Sequence, residues 1–336
     1  MIQTSPKTIG FWAGFFLFLF FLFLPATDSL SKEAIYVAAV VVLMATWWAT
    51  EAIPLPATAL LPLALFPLLG VFGDIPSKDA FQLAANPYAH ANIFLFLGGF
   101  ILALAIEKVN LHKRMALKML LLVGTDSKYL IGGFMLVSGL LSMWIFNTST
   151  TLMLLPIALA VATVVQTTTN QESIIQFNNF QTALLLGIAY AATIGGMATI
   201  VGTGPNVLVV GLLLDEGIEV GFLDWMLLAT PISFIMLFIG WWLLTNVAFP
   251  TNISGTNETK KELQNMYAKL GKVSEDERRV FIIFCCTAFA WIFRKILIMV
   301  PGLEGLTDYG IAIIAALALF ITPSAKGAGL LEWSAT

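Results

Sequence analysis

Charged residues are scarce in this chain of 336 residues. Asp, Glu, Lys and Arg make up 11% of it, whereas an ordinary soluble domain has about 25%. Hydrophobic residues make up 59%, and the net charge is −3 at pH 7. These values exclude a soluble globular protein, and the lack of a basic segment excludes nucleic-acid binding. Several apolar stretches approach the roughly 20 residues that cross a bilayer, so the sequence predicts an all-α, polytopic membrane protein.

Cysteine and histidine are also rare. Cys285 and Cys286 are adjacent in an apolar run, where neither a structural disulfide nor a metal site is expected. The chain has no His-Glu-x-x-His motif, and none of its serines has a histidine partner at membrane depth. These absences argue against an intramembrane hydrolase, so we expect a protein that is not an enzyme and has no organic cofactor.

Apolar runs separated by polar or proline-rich breaks predict seven simple spans. They are Phe11–Ala26, Ala34–Thr50, Ala57–Phe72, Ala91–Ile106, Trp225–Phe249, Val280–Val300 and Asp308–Ile321. The only extended hydrophilic stretch, Thr251–Arg279, includes residues that can form a surface helix at Glu262–Leu270.

Two further apolar segments are polar at their centres. Lys128–Gln166 is long enough to cross twice, yet its middle carries Ser142 and the run Asn147–Thr151. Thr182–Leu214 is interrupted by Gly195-Gly196 and by Gly202–Asn206, which should break the helix near the bilayer centre. The first segment is interpreted as a re-entrant hairpin and the second as a discontinuous helix.

The distribution of basic residues supports the hairpin. If Lys128–Gln166 returns to the side from which it enters, and the N-terminus is cytoplasmic, the inner face collects most of the 17 Lys and Arg. The thirteen inner residues are Lys7, Lys108, Lys113, Arg114, Lys118, Lys128, Lys260, Lys261, Lys269, Lys272, Arg278, Arg279 and Lys326. A single crossing would remove this asymmetry.

A re-entrant tip leaves backbone groups without helical partners, and a bound ion can satisfy them. Carbonyls at a helix C-terminus, with the side-chain oxygens of Ser142 and Asn147, suit a hard cation such as sodium. The opposite helix start, with free N–H groups and Thr148, suits an anion. Together with the break at Gly202–Asn206, this pattern is typical of a secondary transporter site.

These residues lie in motifs through which the chain resembles the divalent-anion/sodium symporter family, which includes di- and tricarboxylate transporters. The segments that carry the resemblance follow the family's order along most of the chain: Trp47–Pro56, Phe94–Phe100, Glu107–Arg114, Asn147–Thr151 and Gly195–Asn206.

The resemblance implies an inverted-repeat fold, with a scaffold that forms a homodimer and a transport domain that moves like an elevator. On this basis we expect scaffold helices and an interfacial helix in 1–127 and part of the transport domain in 128–250. A cytoplasmic amphipathic connector would follow in 251–279, and the scaffold helices of the second repeat would begin in 280–336.

The resemblance also implies the ligands of the site. Sodium would be bound by Ser142, Phe146, Asn147 and Gly202, and a substrate carboxylate by Asn147, Thr148 and Thr203. The family's Ser-Asn-Thr motif reads Phe146-Asn147-Thr148 in this chain, so a Phe carbonyl replaces the serine as a sodium ligand and a hydroxyl contact to substrate is lost.

The family has a second Ser-Asn-Thr hairpin, and no second polar hairpin follows Ser324. We therefore expect the chain to be the N-terminal part of a longer symporter, with an incomplete second repeat and the first half of the site.

The predicted function is sodium-coupled symport of a di- or tricarboxylate such as succinate, malate or citrate. The predicted location is the cytoplasmic membrane, with a bacterial inner membrane favoured, and the predicted partners are sodium, the dianionic carboxylate, the lipid bilayer and a second copy of the chain. Two alternatives stay open: a sodium/sulfate symporter, since a helix start and hydroxyls accept either dianion, and a non-transporting membrane module that only dimerises.

Overall fold

The structure is a computed structural model that describes residues 5–28, 30–168, 174–325, 327 and 329–333. Its regular structure in these ranges is helical. The chain divides into two compact units, Met1–His90 and Ala91–Thr336, and each is described by itself. Lys326, which the orientation count includes, lies outside the described residues.

The first unit contains five α-helices and a 3-10 turn, Asn86–Ala89. The helices are α1 (Pro6–Leu22), α2 (Lys32–Thr50), α3 (Leu55–Thr58), α4 (Leu61–Leu69) and α5 (Ser77–Ala85). Ser31 caps α2 by accepting the Ala34 N–H at 3.2 Å. Glycine lets α1 approach α2 closely, since a Cβ atom on Gly14 would lie 2.7 Å from the Trp47 ring.

The predicted span Ala57–Phe72 is instead two short helices, α3 and α4. Pro56 and Pro62 each stand in the first turn of one of them. Proline lacks an N–H and clashes with the preceding turn, so it begins a helix more readily than it continues one.

The second unit begins with a long helix and an amphipathic one, and continues through the two segments with polar centres. Its helices are α6 (Ala91–Lys108), α7 (Leu111–Leu120), α8 (Ser127–Ser142), α9 (Asn147–Thr168), α10 (Ile174–Gly196), α11 (Gly204–Asp215), α12 (Phe222–Leu243), α13 (Asn257–Lys269), α14 (Glu275–Ile292), α15 (Arg294–Leu297) and α16 (Asp308–Ile321).

Among the described residues, five helical stretches are long and apolar enough to cross a membrane, in keeping with a polytopic membrane protein. They are Lys32–Thr50, Ser77–Lys108, Asn147–Thr167, Phe222–Ala248 and Glu275–Leu297. The predicted hairpin is a pair of helices, α8 and α9, that are separated at its polar centre. Because α9 alone has spanning length, re-entry to the same side stays a prediction.

Close packing of α8 on α10 brings two helix ends together. A Cβ atom on Gly195 would overlap the Gly139 carbonyl, so the two backbones are in direct contact near these C-termini. Phe134 and Leu184 are fully buried on either side of the same contact. The C-terminal ends of α8 and α10 therefore lie side by side.

The start of α8 is hydrogen-bonded to the chain that follows α12. Ser127 donates its N–H to the Ile253 carbonyl at 3.0 Å, and Ile253 donates its N–H to Ser127 Oγ at 3.1 Å. Asp126 Oδ1 accepts the Gly255 N–H at 2.6 Å. The predicted transport segment, 128–250, thus begins and ends at one place.

A buried ion pair joins α7 to the first turn of α14. The Arg114 guanidinium donates to both oxygens of Glu277, at 3.1 and 3.2 Å, and to the carbonyls of Leu270 and Gly271. The hydrogen bond to Glu277 raises the already high pKa of Arg114. Glu277 also accepts the Ser274 N–H at 2.7 Å, which completes a capping box at the start of α14.

We predict that Arg114→Met strongly destabilises the protein, because it leaves the Glu277 carboxylate buried without its partner. Breaking a buried pair from one side costs about 3–5 kcal/mol. The exposed pair between Lys7 and Glu51 offers a matched control, since Lys7→Met should cost less than about 1 kcal/mol. Thermal unfolding of both variants in detergent, followed by tryptophan fluorescence, measures the difference, and equal shifts in Tm would contradict the prediction.

Candidate functional site

The predicted hairpin tip lies between the last residue of α8 and the first residue of α9. Ser142 ends α8 with a fully buried side chain, and Asn147 begins α9. Ser142 Oγ donates a hydrogen bond to Asn147 Oδ1 at 2.6 Å. Two residues predicted to bind sodium are therefore in direct contact across the tip.

The second break separates α10 from α11. α10 ends at Gly196, a short 3-10 turn covers Ile200–Gly202, and α11 begins at Gly204 with Pro205 in its first turn. Thr199 ties this break to the hairpin tip, because its hydroxyl donates to the Met143 carbonyl at 2.5 Å. The same oxygen accepts the Gly202 N–H at 3.1 Å.

Glycine allows the two breaks to meet. A Cβ atom on Gly196 would lie 2.5 Å from Asn147 Oδ1 and 3.3 Å from the Gly202 carbonyl oxygen. A Cβ atom on Gly202 would lie 3.0 Å from the Ser142 carbonyl oxygen and would overlap the Gly196 carbonyl. Side-chain and backbone oxygens of Ser142, Asn147, Gly196 and Gly202 thus converge on a small region.

Phe146, the fourth predicted sodium ligand, lies beside this cluster. Its ring makes edge contacts with Phe96 and Phe100 of α6, at centroid distances of 5.4 and 5.0 Å. Its carbonyl accepts the Thr150 N–H at 2.9 Å, which leaves one lone pair for an ion. The aromatic ring thus belongs to the packing against α6.

The two predicted substrate hydroxyls lie at helix starts. Thr148 is exposed in the first turn of α9, and Thr203 is the half-buried N-cap residue of α11. Neither hydroxyl makes a hydrogen bond within the described part of the chain. N–H groups at both helix starts and both hydroxyls can donate to an anion.

The site has two electrostatic sides that arise without charged side chains. The C-terminal ends of α8 and α10, which carry partial negative charge, adjoin the oxygen cluster and favour a cation. The N-terminal ends of α9 and α11 carry partial positive charge and favour an anion. Nowhere in the described ranges do three or more His, Cys, Asp or Glu side chains form a metal-binding group. The oxygens that converge here belong to a hydroxyl, an amide and backbone carbonyls, all of which are neutral.

Three residues that the sequence did not single out support the broken helix. Asn206 is buried, and its Nδ2 donates to the carbonyls of Thr199 at 2.7 Å and Gly196 at 2.9 Å. From α12, Trp225 Nε1 donates to the Met197 carbonyl at 3.0 Å and Thr230 Oγ1 to the Ala198 carbonyl at 3.2 Å. An Asn directly after a Gly-Thr-Gly-Pro break is a usable sequence signal, whereas Trp225 and Thr230 carry none.

Comparison with known proteins gives consistent matches along the chain. A family model described as the sodium:sulfate symporter transmembrane region matches residues 6–336. The chain is 35% identical to the sodium-dependent dicarboxylate transporter SdcS of Staphylococcus saprophyticus, over 97% of this chain and 63% of that protein. It is 36% identical to SdcS proteins of Staphylococcus aureus strains RF122 and USA300, over 98% of this chain and 63% of theirs. The chain therefore spans somewhat less than two thirds of these relatives' length.

We predict that Asn206→Leu destabilises the protein, since it leaves buried carbonyls of the break without donors. The expected cost is about 1–3 kcal/mol. Asn179→Leu is the control, because Asn179 makes a single exposed hydrogen bond to the Pro250 carbonyl. Thermal unfolding in detergent compares the two, and a Tm for Asn206→Leu as high as that of the control would refute the role of Asn206.

Proposed function

The chain belongs to the sodium:sulfate symporter family, and we propose from this premise that it acts in the sodium-coupled transport of a dicarboxylate across a membrane. The family and the relatives are transporters, and the relatives are named sodium-dependent dicarboxylate transporters. The observation that carries the proposal is the meeting of two broken elements, where Ser142, Asn147 and Gly202 bring their oxygens together.

Sodium binds in this proposal on the oxygen-rich side of the site. Its ligands are the Ser142 hydroxyl, Asn147 Oδ1 and the Phe146 and Gly202 carbonyls. The present hydrogen bond from Ser142 Oγ to Asn147 Oδ1 must break, so that both oxygens can face the ion. Neutral oxygens suit sodium, which is held in such sites by unwound carbonyls at helix C-terminal ends.

The carboxylate binds next to the ion, at the two helix starts. The amide nitrogen of Asn147 and the hydroxyls of Thr148 and Thr203 donate to its oxygens. Asn147 then binds sodium through its side-chain oxygen and substrate through its side-chain nitrogen. Bound sodium therefore fixes the orientation of the Asn147 amide, so that its N–H groups can donate to the anion. If substrate binds more tightly to the sodium-loaded protein, bound substrate must raise the affinity for sodium by the same factor.

The proposed transport cycle rests on the resemblance to the family. We propose that 128–250 belongs to a transport domain that moves like an elevator, while 1–127 and 280–336 contribute to a scaffold that dimerises. In this arrangement the N-terminus and the connector 251–279 are cytoplasmic, and the site described is one half of a site completed by a second, inverted repeat.

Sulfate is the second candidate substrate, and the family name is the observation that favours it. The same helix starts and hydroxyls would bind its oxygens. The names of the relatives favour a dicarboxylate, which spans a longer distance between its two charges. A non-transporting module is the remaining alternative.

We predict that sodium stabilises the protein and that potassium does not. Sodium at a concentration of 100 times its Kd raises the free energy of unfolding by about 2.7 kcal/mol. Tm is measured in detergent over a range of NaCl at constant ionic strength, with KCl as replacement. Asn147→Ala should abolish the sodium-dependent rise in Tm, whereas Asn179→Ala should keep it, and a wild-type Tm indifferent to sodium would refute the sodium site.

We also predict sodium-dependent uptake of succinate into liposomes that contain the chain together with the second, inverted repeat that completes its site, and no uptake into liposomes that contain the chain alone. Radiolabelled succinate, and radiolabelled sulfate in a parallel assay, are followed with an inward sodium gradient and with potassium in its place. Succinate uptake is also followed with excess unlabelled sulfate. Succinate uptake that excess sulfate leaves unchanged identifies a dicarboxylate transporter. Uptake of sulfate and not of succinate identifies a sulfate transporter, the second candidate. Sodium stabilisation without uptake of either anion into either kind of liposome would instead show a module that binds sodium and does not transport.

A further inference from the structure

An apolar groove lies between α8 and α12, apart from the sodium site. It has a volume of about 330 Å³ and is lined chiefly by Gly132, Gly133, Leu136, Phe234, Phe238 and Trp241. Glycine lets side chains of its walls pack closely on α8, since a Cβ atom on Gly132 would lie 2.9 Å from Trp241 Nε1 and one on Gly133 would lie 2.9 Å from Val123 Cγ1. From Tyr129 to Leu136 the α8 wall covers about 10 Å at 1.5 Å per residue, a third of the hydrocarbon thickness.

A polar pocket of about 330 Å³ adjoins this groove, because Tyr129 and Trp241 line both. Its other lining residues include Asp126, Lys128 and Asn252. Tyrosine and tryptophan side chains prefer the depth at which acyl chains give way to headgroups. The aromatic pair thus stands where the apolar groove changes to the polar pocket.

The polar pocket carries one charge of each sign. Lys128 Nζ donates to the neutral Asn246 Oδ1 at 2.7 Å and forms no ion pair within the described ranges. Asp126 uses Oδ1 to accept the Gly255 N–H and makes no side-chain cap to α8. Both charged groups thus retain hydrogen-bonding capacity toward the pocket they line.

We propose that this groove and pocket bind one phospholipid with a phosphoethanolamine headgroup. An acyl chain lies in the groove between α8 and α12, the phosphate accepts hydrogen bonds from Lys128, and the primary ammonium donates to Asp126. A choline headgroup has no N–H to donate, and a glycerol headgroup has no cation for Asp126. The pair of opposite charges therefore selects phosphoethanolamine.

Native mass spectrometry of the purified chain tests the proposal. The protein is mixed with equal amounts of phosphatidylethanolamine, phosphatidylcholine and phosphatidylglycerol that have identical acyl chains. We expect one phosphatidylethanolamine to be retained at several times the level of either competitor. Equal retention of all three, or preference for phosphatidylglycerol, would overturn the proposal.

Variants separate the contribution of the polar pocket from that of the apolar groove. Lys128→Gln should lower retention of all three lipids several-fold, and Asp126→Asn should remove only the preference for phosphatidylethanolamine, because Asn keeps the acceptor for Gly255. Leu136→Trp should fill the groove and lower retention without changing the preference. Lys118→Gln and Leu152→Trp alter an exposed charge and an exposed leucine elsewhere, and should behave as wild type.

The comparison includes the variants whose Tm lies within a few degrees of the wild-type Tm. Retention in Lys128→Gln and Leu136→Trp equal to that of the controls would show that lipid binds the surface generally, and would also overturn the proposal. Because the site is separate from the sodium ligands, sodium-dependent stabilisation should persist in every variant of this series.

Discussion

Backbone groups that leave a helix at membrane depth must find partners within the protein, and the second unit is arranged around this requirement. The chain unwinds between α10 and α11, and its freed carbonyls are met by one amide on α11 and two side chains on α12. These contacts leave the oxygens of Ser142, Asn147 and Gly202 turned toward one another. The cluster of oxygens at the proposed sodium site is therefore a by-product of satisfying a broken helix.

Among the described residues, the ligands of the proposed site include no charged side chain, and this has an energetic reason. A carboxylate buried in hydrocarbon is costly when the site is empty, and a transporter has to pass through an empty state. Helix ends and amide oxygens supply smaller, fixed partial charges that need no partner ion. A site built from them suits a cation that binds and leaves repeatedly.

Much of this arrangement follows from the sequence, because the relevant signals are local. Pro205 and the surrounding glycines indicate the break between α10 and α11, and polar residues in an apolar run indicate the hairpin tip. The contacts of Trp225 with Met197 and of Arg114 with Glu277 join residues 28 and 163 positions apart. Such pairs depend on how the helices pack, which hydropathy and helix-breaking residues leave undetermined. The division of the predicted span Ala57–Phe72 into α3 and α4 has a local signal as well, since Pro56 and Pro62 stand in the first turns of the two helices.

The hydrogen bonds between Ser127 and Ile253 make the stretch from α8 to α12 a loop closed at its base. Its two chain ends therefore leave side by side. Beyond this base, Arg114 binds the α13–α14 turn through the carbonyls of Leu270 and Gly271. The two backbone connections of this stretch are hydrogen-bonded to each other, so a displacement of one connection is passed directly to the other.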